Sequence, residues 1–423
     1  MFYKGIDRRR KDDIIMKEYT GMNIRHVMTI EGRIDARKAA EILYFYRRKT
    51  GNIFMSEKET RRREENLVFR ALYLIAIVFV VDGHTTLADM FDMDSLFRYY
   101  SFHLMLFAFG AGYFFRFHGG MLQDVVSRAR RLLVPLYLWN VVYGVGAMLL
   151  RRFGGFEIGT EISAYTLLLA PIVDGEHFVW NLGSWFIFPL FLTQVIYSLV
   201  RRAAVLWKDR EWITFLVCLL PGCAAVEICH AGMQHMLPLF LLRTLILLPG
   251  YAGGVLYKRC LEKHDTLPTV PYLAVIVVLR ALLCIRYENL AYLLSSCTYF
   301  TCGAFGVYFG ALLAIAFWLR IARLLAPHME RSRLALYISR HTFDIMMHHF
   351  IGFFALNSIF LILNALGVGA ADFSVKSFRT MYNYNYAPGG RPEFNVLYLL
   401  AGLLLPLLVP MMTDKFRRKI KRK

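Results

Sequence analysis

Acidic side chains are scarce in this sequence: 31 Asp and Glu stand against 50 Lys and Arg, a formal charge of +19. Paired cysteines are missing too. The seven cysteines, at 218, 223, 229, 260, 284, 297 and 302, include no CxxC pair and are odd in number, so they read as small apolar packing residues. There is no HExxH sequence and no Cys and His pattern of zinc-ligand spacing. No apolar stretch directly follows the basic start MFYKGIDRRRKDD, so no cleaved leader is expected and the first hydrophobic helix is expected to direct insertion. No internal repeat points to an inverted-repeat transporter, and the connections leave no room for a second soluble domain.

Long apolar runs, in contrast, are abundant. The chain is 57% hydrophobic, and a membrane helix needs about 20 apolar residues. Ten runs suffice, at roughly 68–86, 97–117, 132–150, 184–200, 212–230, 236–257, 270–286, 296–318, 342–365 and 394–412. All are predicted to be helices, because lipid cannot satisfy the edge of an open sheet. The expectation is an all-α integral membrane protein of about ten transmembrane helices. Residues 1–66 would be a basic cytoplasmic extension, 67–412 the membrane domain and 413–423 a basic cytoplasmic tail.

The positive charge could suit nucleic acid, but its placement favours a membrane. Assigning Lys and Arg to alternate sides of ten spans leaves roughly 41 on the N-terminal side, roughly 7 opposite and about 2 inside. Both termini are therefore expected in the cytoplasm, with KFRRKIKRK on anionic lipid and no nucleic-acid partner. Within the extension, IDARKAAEILYFYRRK has helical periodicity and could lie on the membrane surface or stay loosely ordered.

Ionisable groups inside spans are functional candidates, since each costs a few kcal/mol to insert. Counting along each helix at about 1.5 Å per residue puts Asp82, His84, His103, Glu227, His230 and Arg243 toward the outer face. That agreement suggests a polar cavity opening outward. His84 could be a general base, because a neutral imidazole accepts a hydroxyl proton near neutral pH; it could also simply reach interfacial water. Asp82 can orient it only if the helix breaks at Gly83, since residues two apart face nearly opposite ways. His103 and Glu227 are cavity candidates or satisfied interhelical polar groups. Arg243 and Arg280 each need an anion or a ligand. In SRHTFDIMMHHF, His341, Asp344 and His348 share a face and His349 points elsewhere, which suits a helix interface or substrate contact better than metal.

Several segments together resemble the membrane acyltransferase 3 family. LYLIAIVFVVDGH resembles its opening helix ending in Gly-His, and LMLFAFGAGYFFR its Phe-rich second helix, with Ala111 where the family has serine. RARRLLVPLYLWN, NLGSWFIFPLF, LLRTLILLPGYAGGVLYKR and HTFDIMMHH resemble later family segments, in order. The family's Arg-x10-His pattern is altered: eleven residues before His84 stands Tyr73, with Arg70 one turn earlier on roughly the same face.

The resemblance implies transfer of an acyl group from acyl-CoA to an envelope glycan at the bacterial cytoplasmic membrane. His84 would be the catalytic base, and Arg243, matching the later family arginine, would stabilise the developing oxyanion. Arg70 or Tyr73 would serve the donor, and His349, or else His348, matches the late family histidine. Independently of the family, Arg116, Arg128, Arg130 and Arg131 form a basic mouth suited to the phosphates of coenzyme A, or simply carry positive-inside charge. Trp185 and the tyrosines of YNYNY, Tyr382, Tyr384 and Tyr386, are acceptor-contact candidates, and those tyrosines suit a membrane interface equally. No permanently bound cofactor or metal is expected, with acetyl-CoA or another acyl-CoA as donor substrate. The alternative is an exporter of a glycan or lipid-linked sugar, with no acyl chemistry.

Overall fold

The computed structural model describes residues 67–85, 96–175, 178–204, 211–287, 290–381 and 383–421. The extension 1–66, Tyr382 and the side chains that would rest the tail on lipid lie outside the described residues. The described chain is mainly helical and contains no strand among the described residues; an isolated bridge joins Leu293 to Thr298. The labelled helices are α1 (67–82), α2 (His103–Tyr113), α3 (Met121–Gly154), α4 (Ile187–Ala203), α5 (Glu211–His230), α6 (Leu239–Leu256), α7 (Thr269–Tyr287), α8 (Ala304–Met329), α9 (Thr342–Ala365) and α10 (Asn395–Leu404).

Eight helical stretches among the described residues are long and apolar enough to cross a membrane, so the chain is a multi-pass membrane protein. They include α3 and α5 to α9; the 3-10 turn Val179–Phe186 extends α4, and α10 lies within the span Pro392–Thr413, which adds short 3-10 turns and the start of the helix Leu408–Lys421.

The other two, α1 and α2, differ in kind. No described residue of α1 is exposed, and Leu72, Ala76, Ile77 and Val81 are completely buried. A helix apolar on every side belongs inside the bundle. By contrast, α7 turns Val270, Val275, Val278, Leu282 and Ile285 outward, where lipid takes the place of water.

Several boundaries differ from the hydropathy reading. The run at 97–117 yields a helix only from His103, after a 3-10 turn Tyr99–Ser101 that is followed by Phe102 with non-helical dihedrals, φ −157° and ψ −21°. The run at 296–318 starts its helix at Ala304, because the Glu227 carboxylate accepts the Ala304 N–H at 2.7 Å and fixes the helix start there. The preceding residues fold as a bridged loop, with Cys297 and Tyr299 at φ 54° and 55°. At its far end α8 runs on to Met329, so Arg320 and Arg323 sit on the helix and pair with Asp265.

The closest helix approach joins α2 to α6. A Cβ on Gly112 would enter the space of the Tyr251 carbonyl, and one on Gly254 that of the Phe109 carbonyl. Small residues at such a crossing let backbones touch, and packing is then the main attraction between helices in lipid. Gly253 is different: a Cβ there meets only Phe215, at 3.7 Å.

Gly254→Ala is therefore expected to destabilise the protein by about 1–3 kcal/mol through overpacking, while Gly253→Ala is neutral or slightly stabilising. Thermal unfolding in detergent or nanodiscs would check this, and equal melting shifts for the two variants would contradict the described crossing.

Candidate functional site

α1 ends at Asp82 and the chain turns at Gly83 and His84. The carbonyls freed at a helix end need donors, and His84, Thr85 and Tyr100 provide them. His84 Nδ1 lies 2.6 Å from the Val80 carbonyl, the Thr85 hydroxyl donates to the Asp82 carbonyl at 2.7 Å, and Tyr100 donates to the Gly83 carbonyl at 2.5 Å. The break at Gly83 exists, but the partner of His84 Nδ1 is a backbone carbonyl rather than the Asp82 carboxylate. Asp82 itself is completely buried.

A carbonyl oxygen can only accept, so Nδ1 of His84 carries the proton and, in the neutral ring, Nε2 keeps its lone pair. The same device recurs. His103 Nδ1 is 2.6 Å from the Tyr99 carbonyl, and His349 Nδ1 is 3.1 Å from Ile345 O and 3.0 Å from Met346 O. The His84 and His349 rings are 4.8 Å apart between centroids. Nε2 of His349 has no hydrogen-bond partner among the described residues.

His84 and His103 line a cavity of about 870 Å³, together with Arg243, Trp185, Asp174 and the loop Leu293–Ser296. Arg243 is 3% exposed; its guanidinium donates to the Ser295 carbonyl and lies 4.8 Å from the Trp185 ring centroid. Its Nε has no partner among the described residues. Imidazole acceptors, a cation over an indole and the Asp174 carboxylate thus face one space. Such a set can hold and deprotonate a hydroxyl compound.

A second cavity, of about 640 Å³, is lined by Arg70, Tyr73, Arg116, His118, Arg128 and Arg131. Tyr73 stacks on Phe107 at 6.0 Å, and Arg70 donates to the Ser339 carbonyl at 3.0 Å. Arg128 is a clamp: it donates to Gln194 at 2.8 Å, to the Arg116 carbonyl at 3.0 Å and to Asp124 at 3.1 Å, while Ser198 donates to the same carboxylate at 2.5 Å. Its charge faces the cavity with most of its donors already used. Arg130 is exposed and does not line this cavity.

The two cavities share two lining residues, Phe186 and Met346. α1, α2, the Val179–Phe186 turn with α4, α6 and α9 each run from one cavity to the other: α1 contributes Tyr73 to the smaller and Val80 to the larger, α6 Tyr251 and Arg243.

The remaining candidates fall elsewhere. Glu227 caps α8 and lines neither cavity. His230 meets the Phe300 carbonyl at 2.9 Å, and Arg280 is fully buried, donating to the Leu96 carbonyl at 2.7 Å and to Ser101 at 2.5 Å. His348 pairs with the Tyr143 hydroxyl at 2.6 Å, away from His84, and His341 pairs with Asp344 at 2.9 Å. Among the described residues no group of three or more His, Cys, Asp or Glu is placed to hold a metal ion.

Tyr386 is a correction to the acceptor expectation: it is 4% exposed, edge-on to Phe360 and Phe373, and its hydroxyl donates to Asp372. Tyr384 also packs against Phe373. The Tyr386 ring is covered by protein, Tyr384 is half-buried and lines a small pocket beside His84, and Asn383 lines the larger cavity.

Asp174 and the Leu293–Ser296 loop were missed. Asp174 looked like one more acid of a long connection, and LSSCTYFTCG reads as the start of an apolar helix unless its Ser, Thr and Gly content is weighed as a loop signal. Comparison with known proteins makes no assignment: no family model, curated protein or solved structure matches the chain.

The Tyr386 hydroxyl, with the Gly389 N–H, holds the Asp372 carboxyl below its ordinary value; burial and that bond push Tyr386 up to about 12. A depressed carboxylate stabilises the fold above its unfolded value, about 3.9, and loses that contribution as pH falls through its lower folded value. Hydrogen exchange over residues 366–393 is thus expected to be faster in Tyr386→Phe than in the parent at pH 5, with the two converging only as pH falls through the lowered Asp372 value. A difference that persists at the lowest pH would show that Asp372 is not its source.

Proposed function

We propose that the protein is a membrane O-acyltransferase, an O-acetyltransferase in its narrower form, moving an acyl group from cytoplasmic acyl-CoA to a hydroxyl of an envelope or exported glycan. Ten membrane spans with both termini cytoplasmic belong to this reading, as does a bacterial cytoplasmic membrane. The unequal spread of Lys and Arg supports that orientation, which turns the arginine-lined cavity inward and the histidine-lined cavity outward. The observation that carries the reading is that the two cavities share Phe186 and Met346, with His84 and Arg243 lining one and Arg70, Arg116, Arg128 and Arg131 lining the other.

Arginine forks suit phosphate oxygens, so Arg70, Arg116 and Arg131 would hold the donor's phosphates at the inner mouth. The thioester would reach toward Phe186 and Met346. A glycan hydroxyl in the outer cavity would give its proton to Nε2 of His84 while its oxygen attacks the thioester carbonyl carbon. Arg243 would stabilise the oxyanion. The tetrahedral adduct then expels the thiolate, which takes the proton back from the imidazolium, leaving an ester and free coenzyme A. The Nδ1 bond to Val80 keeps the ring in the tautomer this needs.

The same stacked cavities favour one other reading, an exporter with an occluded path. Purified protein in nanodiscs, given acetyl-CoA and extracted envelope glycan, is expected to release thiol and add one acyl mass to the glycan. His84→Ala should slow transfer at least about 100-fold with the melting temperature retained. Full transfer by that variant would refute the assignment to His84, and vesicle transport of unmodified glycan without thiol release would favour the exporter.

A further inference from the structure

We propose that Phe186 and Met346 act as an acyl-length stop, restricting the donor to short-chain thioesters. The inference rests on the acyltransferase reading and adds its specificity determinant. Both side chains line both cavities, yet Phe186 is only 2% exposed and Met346 7%. They are the two residues at which these spaces border one another.

The backbone under this border is fixed. A Cβ on Gly183 would lie 2.8 Å from the Met346 carbonyl and 2.6 Å from Cε1 of His349, so the Val179–Phe186 turn rests directly on α9. The Met346 carbonyl also faces His349 Nδ1 at 3.0 Å. Phe186 is bordered by Phe107, 6.3 Å away between ring centroids, and by Trp185 at 6.0 Å. With the backbone held, the phenyl ring and the unbranched thioether are the parts able to yield, and a thioether adapts its shape readily.

A thioester approaching from the arginine side must bring its carbonyl carbon to a hydroxyl on the His84 side. Its acyl chain then occupies whatever space the displaced ring and thioether leave. An acetyl group adds one methyl beyond the carbonyl, and each further methylene must be fitted against packed aromatic walls. In a fitted apolar pocket one methylene changes kcat/KM by roughly 10-fold or more.

The test compares acetyl-CoA with butyryl-CoA as donors for the full chain in nanodiscs. The parent should favour acetyl. In Phe186→Ala, and separately in Met346→Ala, the butyryl to acetyl ratio of kcat/KM is expected to rise at least about tenfold. Phe188→Ala, whose ring packs on Phe191 and Phe240 outside both cavities, should leave the ratio as it was. An unchanged ratio in an active Phe186→Ala or Met346→Ala overturns the stop while leaving the acyltransferase reading intact. No transfer by the parent from any acyl-CoA removes both.

The border can also be read without chemistry. With the seven native cysteines replaced by alanine, Ser296→Cys places a thiol in the larger cavity. A membrane-impermeant methanethiosulfonate applied from the arginine side should label it only when Phe186→Ala is also present. Equal labelling with and without Phe186→Ala would show that this ring does not divide the cavities, and would overturn the proposal.

Discussion

Polar atoms inside this bundle must find partners within the chain itself, because hydrocarbon supplies none. Most of the interior follows from that constraint. Glu227 serves the first N–H of α8, Asp124 gathers Arg128 and Ser198, and Arg280 spends donors on Ser101 and Leu96. Three imidazoles give Nδ1 to a carbonyl of the preceding helical turn or its equivalent. Among the described residues, Nε2 of His349 beside His84 and Nε of Arg243 are buried polar atoms without a partner. Of the two residues, Arg243 lines the larger cavity, where a ligand with its own acceptors can meet it.

The fold class was legible because hydrophobic length is a strong signal. Eight stretches qualify as membrane crossings, and α1 and α2 occur where apolar runs stand in the sequence. Their ends were less so. Hydropathy ran the helix back into the Leu293 to Cys302 loop because Leu, Cys, Tyr and Phe offset its four Ser and Thr residues; the loop itself is held by a bridge and contains two left-handed residues.

Depth along a helix was enough to group His84, His103 and Arg243, since all three depend on regular rise in neighbouring helices. It failed for Glu227, where the same depth lies on the α8 side of α5. Depth says nothing of azimuth. Among the basic residues, the count of arginines was visible, but their use was not: Arg128 is absorbed by Asp124 and Gln194, whereas Arg131 still lines the cavity. Tyr386 of YNYNY failed for a related reason, because an aromatic residue near an interface can face a partner or its own protein, and Tyr386 faces Phe360 and Phe373.

α1 delivers Arg70 and Tyr73 to one cavity and Val80 to the other, with His84 in the turn that follows it, and unbroken helix runs from Arg70 to Val80. Each residue added or removed there would turn the far end by about 100° and shift it by about 1.5 Å. Side chains between Leu74 and Phe79 can drift in identity so long as they pack, but their number cannot. In related chains, gaps should accordingly be rarer than substitutions across this interval, making its length a better marker of descent than its composition.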